Sequence, residues 1–228
     1  MSLLANQIVV VTGAGTGLGK ATAIRLAAEG AKVILVGRRK KKLEEVAKMI
    51  AQSNGHSVII PADVTNPEEV QQLGEQVLFI GGRVDVLINN ASGTGPYCSI
   101  SDLSYSDWDA VTRLNLYSPF LVTNVVLPIM RKQQYGRIVS ITSALANVAY
   151  EKFGAYSAAK AGLEALMKTV AIEEAENGIL TNLFEPGNLR TEQNPHGANE
   201  PETVVSKIVA LATLPANGIN GQVVKAST

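Results

Sequence analysis

Residues 8–19 read IVVVTGAGTGLG, and this stretch narrows the possible folds more than any other. A continuous β-branched run marks a strand buried on both faces. It ends in four glycines within seven residues, and a helical pattern follows at once, with Leu18, Ala21, Ile24 and Ala28 as its inward positions. A glycine turn between a buried strand and a helix is the setting in which backbone N–H groups and the helix dipole cradle a phosphate. Gly13 permits the tight turn, and Gly17 and Gly19 are read as letting a pyrophosphate approach the backbone.

The same alternation continues along the chain. Lys32–Val36 is a second strand, and the next helix places Leu43, Val46, Ala47 and Ile50 on one face. SVIIPADV gives a third strand, with Pro67 in the first turn of the helix after it. VDVLINN is a fourth strand, followed by one long helix from about Ser106 to Met130. RIVSIT is the fifth. The segment around YSAAK opens another long helix, with Leu163, Leu166, Met167 and Val170 facing the core. ILTNLF, a helix after Pro201, and a short strand in GQVVKA complete the pattern. Strands and helices in alternation imply one doubly wound α/β domain spanning 1–228, with a parallel sheet covered on both faces. Ligands in such folds bind beyond the carboxyl ends of the strands.

Composition excludes several classes. The formal net charge is zero, which speaks against a nucleic-acid partner. No run reaches the roughly 18 to 20 apolar residues a membrane span requires. The start of the chain lacks the features of a secretory signal, and Cys98 is the single cysteine, so a soluble cytoplasmic protein is expected. Cys98 reads as a packed thiol. His56 and His196 are isolated and read as surface residues, so no metal is expected.

The end of the second strand, LVGRRKKK, bears on the cofactor. An acid here would bind a ribose 2′-hydroxyl, whereas an arginine suits the 2′-phosphate of NADP. Gly37 stands where the acid would be, and Arg38 follows with Arg39 as a helper. Lys40–Lys42 are assigned to a solvated helix face, Lys40 and Lys41 pairing with Glu44 and Glu45.

TGAGTGLG (Thr12–Gly19), NNA (Asn89–Ala91), the helix asparagine of RLNLY (Asn115), SITSA with Ser143, YSAAK (Tyr156–Lys160) and PGNLRT (Pro186–Thr191) occur in this order over nearly the whole chain. In this conjunction the chain resembles the short-chain dehydrogenase/reductases, and within them 3-oxoacyl-carrier-protein reductase-like members. The resemblance implies a Rossmann fold with a seven-stranded sheet in the order 3-2-1-4-5-6-7. It implies a dinucleotide held by Gly13, Gly15, Thr16, Gly17, Leu18 and Gly19, with Asp63 and Val64 beside the adenine. Asn90 and Ala91 would line the channel, and Pro186, Gly187, Leu189 and Thr191 would cradle the nicotinamide end. Tyr156 would be the acid/base residue. Lys160 would be its electrostatic partner and hold the ribose. Ser143 would polarise the carbonyl, chosen over Ser140 and Thr142 by its thirteen-residue separation from Tyr156. Asn115 would hold a proton-relay water.

The function implied is NADP(H)-dependent reduction of a ketone or 3-oxoacyl carbonyl. The alternatives are an NAD-dependent alcohol or sugar dehydrogenase, and a dinucleotide-binding sensor or scaffold without turnover. The resemblance also implies a homodimer or homotetramer formed through the two long helices, with Ala161, Ala165 and Met167 on an outer face. Four departures stand out. The segment of about 188–200 is too short for a two-helix lid, so the cleft is expected to be open or covered by a neighbouring subunit. Glu185 precedes Pro186 and is read as turned to solvent, the alternative being an acid near the nicotinamide. Ser92 replaces a usual glycine, a mild change. Thr16 stands where many NADP-preferring members carry a basic residue.

Overall fold

All five residues of β1 (Ile8–Thr12) are buried, as a strand sandwiched between two helical layers must be. The computed structural model describes residues 2–226. It contains a seven-stranded sheet in the order β3-β2-β1-β4-β5-β6-β7, and every pairing is parallel. The strands are β1, β2 (Lys32–Gly37), β3 (His56–Pro61), β4 (Val86–Asn89), β5 (Gly136–Ile141), β6 (Ile179–Glu185) and β7 (Val223–Lys225). The helices are α1 (Gly17–Ala28), α2 (Lys40–Gln52), α3 (Pro67–Gly81), α4 (Tyr105–Thr112), α5 (Ser118–Gln133), α6 (Gly154–Glu173) and α7 (Val205–Ala212).

Successive side chains of β1 enter opposite cores. Val9 and Val11 join the layer formed by α1, α2 and α7. Ile8 and Val10 join the layer formed by α3, α5 and α6. The order of strands and the doubly wound architecture agree with the sequence reading. Two helical positions do not. Ala28 is exposed, and α1 buries Ala23, Leu26 and Ala27 instead. Met167 is fully buried, so it belongs to the core face of α6, while Ala161 and Ala165 are exposed.

The long helix expected from Ser106 is interrupted. Between α4 and α5, Arg113–Tyr117 form a π-helical turn. Such a turn inserts an extra residue and leaves a carbonyl open to a side chain, and it often marks a functional site. Asn115 lies within it and is fully buried.

At the amino ends of the central strands, the buried carboxylate of Asp85 accepts a 2.8 Å bond from the Ile8 amide. It also pairs with Arg83. This ties the approach to β4 to the start of β1. Asp85→Ala leaves the Ile8 N–H unpaired, and is expected to cost about 1–3 kcal/mol. A urea denaturation midpoint checks this.

Candidate active site and cofactor cleft

A cleft of about 1300 Å³ opens at the carboxyl ends of the strands. Its floor is the turn between β1 and α1. Gly13 (φ +64°) and Gly17 (φ +52°) adopt left-handed conformations there. A Cβ on Gly19 would lie 2.3 Å from the Gly13 carbonyl oxygen and 2.4 Å from Asn90 Nδ2. Gly19 is therefore also required for close packing of the helix on the turn. Thr12 and Asn90 hold the turn. Thr12 Oγ1 accepts from the amides of Asn90 (2.9 Å) and Ala91 (3.1 Å), and Asn90 Nδ2 donates to Thr12 O at 2.9 Å.

Gly13, Gly15, Thr16, Gly17, Leu18, Gly19, Arg38, Arg39, Asp63, Val64, Asn90 and Ala91 all line this cleft. So do Ser143, Tyr156, Pro186, Gly187, Leu189 and Thr191. Asn115 and Lys160 lie behind its wall, both almost wholly buried. The donor set suits a dinucleotide: a glycine cradle with free amides at a helix N-terminus, and cations beside it.

At the mouth of β2, Arg38 faces Asp63 at 3.9 Å. Arg39 reaches across to Thr16 Oγ1 (3.3 Å) and Glu192 (2.8 Å). Its guanidinium thus supplies positive charge at Thr16, where the sequence shows no basic residue. No acid occupies the first turn of α2. Lys40 pairs with Glu44, but Glu45 pairs with Lys42 rather than Lys41.

The segment after β6 is not simply open. Asn188–Asn199 fold on themselves through Ala198 N to Asn188 O and paired bonds between Thr191 and Asn194. The loop then grips both walls, with Glu192 on Arg39 and Gln193 Nε2 donating to Ser92 O. Glu185 corrects a further expectation. Its side chain is largely buried, pairs with Lys225 of β7 at 3.5 Å, and does not line the cleft. His56 and His196 are exposed and Cys98 is half-buried. Among the described residues no cluster of metal-ligating side chains exists.

The chemistry-bearing groups converge where β4, β5 and α6 meet. Tyr156 is half-buried. Burial raises its hydroxyl above the ordinary tyrosine value, and hydrogen bonds with Ser92 and Ser143 oppose that rise. Its phenol is therefore kept protonated in this state. Lys160, one helical turn on, is 2% exposed; its Nζ donates to Ile141 O at 2.7 Å and stands 5.6 Å from the Tyr156 ring centroid. Burial lowers its amine to about 7. The rival hydroxyls are committed elsewhere. Ser140 bonds Asn89, and Thr142 bonds Glu164, which leaves Ser143 as the serine beside Tyr156.

Two contributors, Ser92 and Glu164, escaped the sequence reading, and Asn115 was expected there in another role. Ser92, taken as a mild change, donates to Asn115 Oδ1 at 2.7 Å and also reaches Tyr156. Asn115 spends its amide hydrogens on Gly93 O (2.7 Å) and Val111 O (2.9 Å), so it anchors the loop carrying Ser92. Glu164 is a buried carboxylate that accepts from Thr142 Oγ1 (2.9 Å) and Asn147 Nδ2 (3.2 Å). It braces both ends of the turn bearing Ser143. Its signal was available: an acid at a core-facing position of α6 must be paired.

Lys160 has a consequence for stability. Between about 7 and its ordinary value of 10.5 the unfolded chain binds more protons than the native one. Stability is therefore expected to rise with pH across that window, at a limiting slope of about 1.4 kcal/mol per pH unit. Lys160→Met should remove that component, as seen by urea denaturation at pH 7, 8, 9 and 10.

Comparison with known proteins agrees with this geometry. Residues 7–201 match the family model described as short chain dehydrogenase. The chain is 37% identical to a 3-oxoacyl-[acyl-carrier-protein] reductase of Synechocystis, covering 97% of this chain and 96% of the relative. It is 33% identical to an uncharacterized oxidoreductase of Staphylococcus aureus strain N315, covering 94% of each. Among solved structures it is similar to levodione reductase (TM-score 0.93, 28% identity, 97% of this chain and 96% of that one). It is also similar to a metagenomic short-chain oxidoreductase in complex with NADP (TM-score 0.90, 30% identity, both chains covered fully). The chain belongs to the short-chain dehydrogenase family of nicotinamide-dinucleotide-dependent oxidoreductases.

Proposed function

We propose that this protein is an NADP(H)-dependent carbonyl reductase that converts a ketone or 3-oxoacyl carbonyl to a secondary alcohol, with Tyr156 as proton donor. The observation that carries the reading is the placing of Tyr156 and Ser143 side by side in the cleft, over the buried amine of Lys160. The bound cofactor supplies the hydride.

Each residue has a role set by its surroundings. Ser143 Oγ donates to the carbonyl oxygen and stabilises the negative charge that builds there. Tyr156 Oη gives its proton to that oxygen, and its protonated resting state is the form reduction needs. Lys160 as ammonium lowers the cost of the phenolate left behind. Its remaining donors are assigned to the ribose hydroxyls. Asn115 holds Ser92 against the Tyr156 hydroxyl, and reprotonation of Tyr156 is assigned to the Lys160 ammonium, which regains its proton from water. Asp63 and Val64 are assigned to the adenine side, and Pro186, Gly187, Leu189 and Thr191 to the nicotinamide side.

NADP is favoured over NAD because Gly37 offers no acid, while Arg38 and Arg39 both line the cleft. Glu192 competes for Arg39. A homo-oligomer through α4, α5 and α6 is part of the same reading, supported by the partly exposed rings of Trp108, Tyr117 and Phe120 along these helices.

Two tests follow. With NADPH and a ketone panel, Tyr156→Phe is expected to reduce kcat by at least about 100-fold while NADPH still binds. Normal turnover in this variant contradicts the assignment. Glu192→Gln should lower the KM for NADPH about two- to fivefold, the scale of an exposed ion pair, and leave that for NADH nearly unchanged. Equal change for both cofactors places the 2′-phosphate away from Arg39.

A further inference from the structure

Four rings form a continuous wall at the Tyr156 end of the cleft. Tyr97 comes from the loop after β4, Tyr150 and Phe153 from the loop after β5, and Tyr156 from the first turn of α6. Phe153 is the hub. Its ring centroid lies 5.3 Å from that of Tyr97, 6.2 Å from Tyr150 and 6.5 Å from Tyr156, at interplanar angles near 60°. All four line the same cavity as Ser143. Lys152 Nζ stands 4.9 Å from the Tyr97 ring centroid and steadies it by a cation–π contact.

Three features mark this wall as a binding surface. First, the chain has only six tyrosines, four phenylalanines and one tryptophan, so over a third of its aromatic residues gather at one end of one cleft. Second, Tyr97 is 57% and Tyr150 62% exposed, although neither ring closes the hydrophobic core. Exposed apolar surface that converges on a catalytic hydroxyl signals a ligand. Third, the charged residues lining the cleft are Arg38, Arg39, Lys42, Asp63 and Glu192. Arg38, Arg39 and Lys42 surround the opening of β2, Asp63 follows β3, and Glu192 is tied to Arg39. No charged side chain lines the ring-lined end itself; the nearest charges, Lys152 and Glu151, both lie at Tyr97 and are of opposite sign.

We propose that the carbonyl substrate is a neutral molecule whose ketone is borne on, or directly beside, a planar aromatic or unsaturated ring. Edge and face contacts with Tyr97, Phe153 and Tyr150 hold that ring while its carbonyl oxygen reaches Tyr156 and Ser143. Aromatic pairs add a geometric preference beyond area burial. A flexible acyl chain would bury area here without satisfying that preference, and would lose more conformational freedom on binding. The inference rests on the carbonyl-reductase reading and names its substrate class.

The test compares two probes with NADPH: 1-phenyl-1,2-propanedione as the ring-bearing ketone, and acetoacetyl-N-acetylcysteamine as the flexible 3-oxoacyl thioester. The wild-type protein is expected to favour the ring-bearing ketone by at least about tenfold in kcat/KM. Tyr97→Leu and Tyr150→Leu, assayed separately so that one misfolded variant does not decide the matter, should each shrink that ratio severalfold through KM. Retained NADPH binding reports that each variant is folded. A wild-type ratio near or below one overturns the proposal and leaves the reductase reading standing. A high ratio that neither variant alters also overturns it, because selectivity then resides elsewhere. Absence of turnover for both probes with either cofactor overturns the reductase reading and this inference together.

Discussion

The junction of β1, β4 and α1 is the constraint on which the rest of the site depends. Thr12 Oγ1 collects the amides that follow β4, Asn90 Nδ2 returns to the carbonyls of Thr12 and Gly13, and Gly19 closes onto Gly13 with no room for a Cβ. Two parallel strands and a helix start are thereby locked at one point. Because all seven strands are parallel, their carboxyl ends open on the same side. Loops from β2, β4, β5 and β6 can therefore meet around one cleft.

The site itself runs against stability. A buried lysine, a buried acid and a buried asparagine stand where apolar side chains would pack at lower cost. Each is partnered instead. Lys160 is held on the end of β5, Glu164 takes up Thr142 and Asn147, and Asn115 uses the carbonyl that the π turn leaves free. These partners fix the hydroxyls of Ser92, Ser143 and Tyr156 relative to one another, as the proposed proton-donor role of Tyr156 requires. The amine of Lys160 pays for its burial with a lowered affinity for protons.

The fold was legible because its signals are local. A buried β-branched run, a glycine turn and a helical stripe recur along the chain, and parallel order follows from their alternation. The glycine turn and Arg38 were legible as residues that end strands, whereas Asp63, Val64, Asn90, Ser143, Tyr156 and the 186–191 segment were legible only through the family resemblance. What escaped notice depends on contacts between distant segments. Nothing near Arg39 in sequence announces Glu192, more than 150 residues away. Ser92 looked like a small polar replacement until the fold set it against Tyr156 and Asn115. Glu185 is the last residue of a buried strand and was given to solvent, yet β7 brings Lys225 alongside it. Glu164 alone carried a usable local sign, an acid within an apolar helical stripe.

The central claim is that this cleft brings a carbonyl carbon against the reducing end of a bound dinucleotide, with Tyr156 completing the reduction. The most direct measurement is isotope transfer. The protein is supplied with NADPH deuterated at the nicotinamide C4 position, in each stereochemical form separately, and the alcohol product is analysed by mass spectrometry. The account predicts one deuterium on the carbinol carbon from one of the two forms and none from the other. Alcohol without deuterium from either form, or cofactor binding with no alcohol formed from any carbonyl, would contradict it.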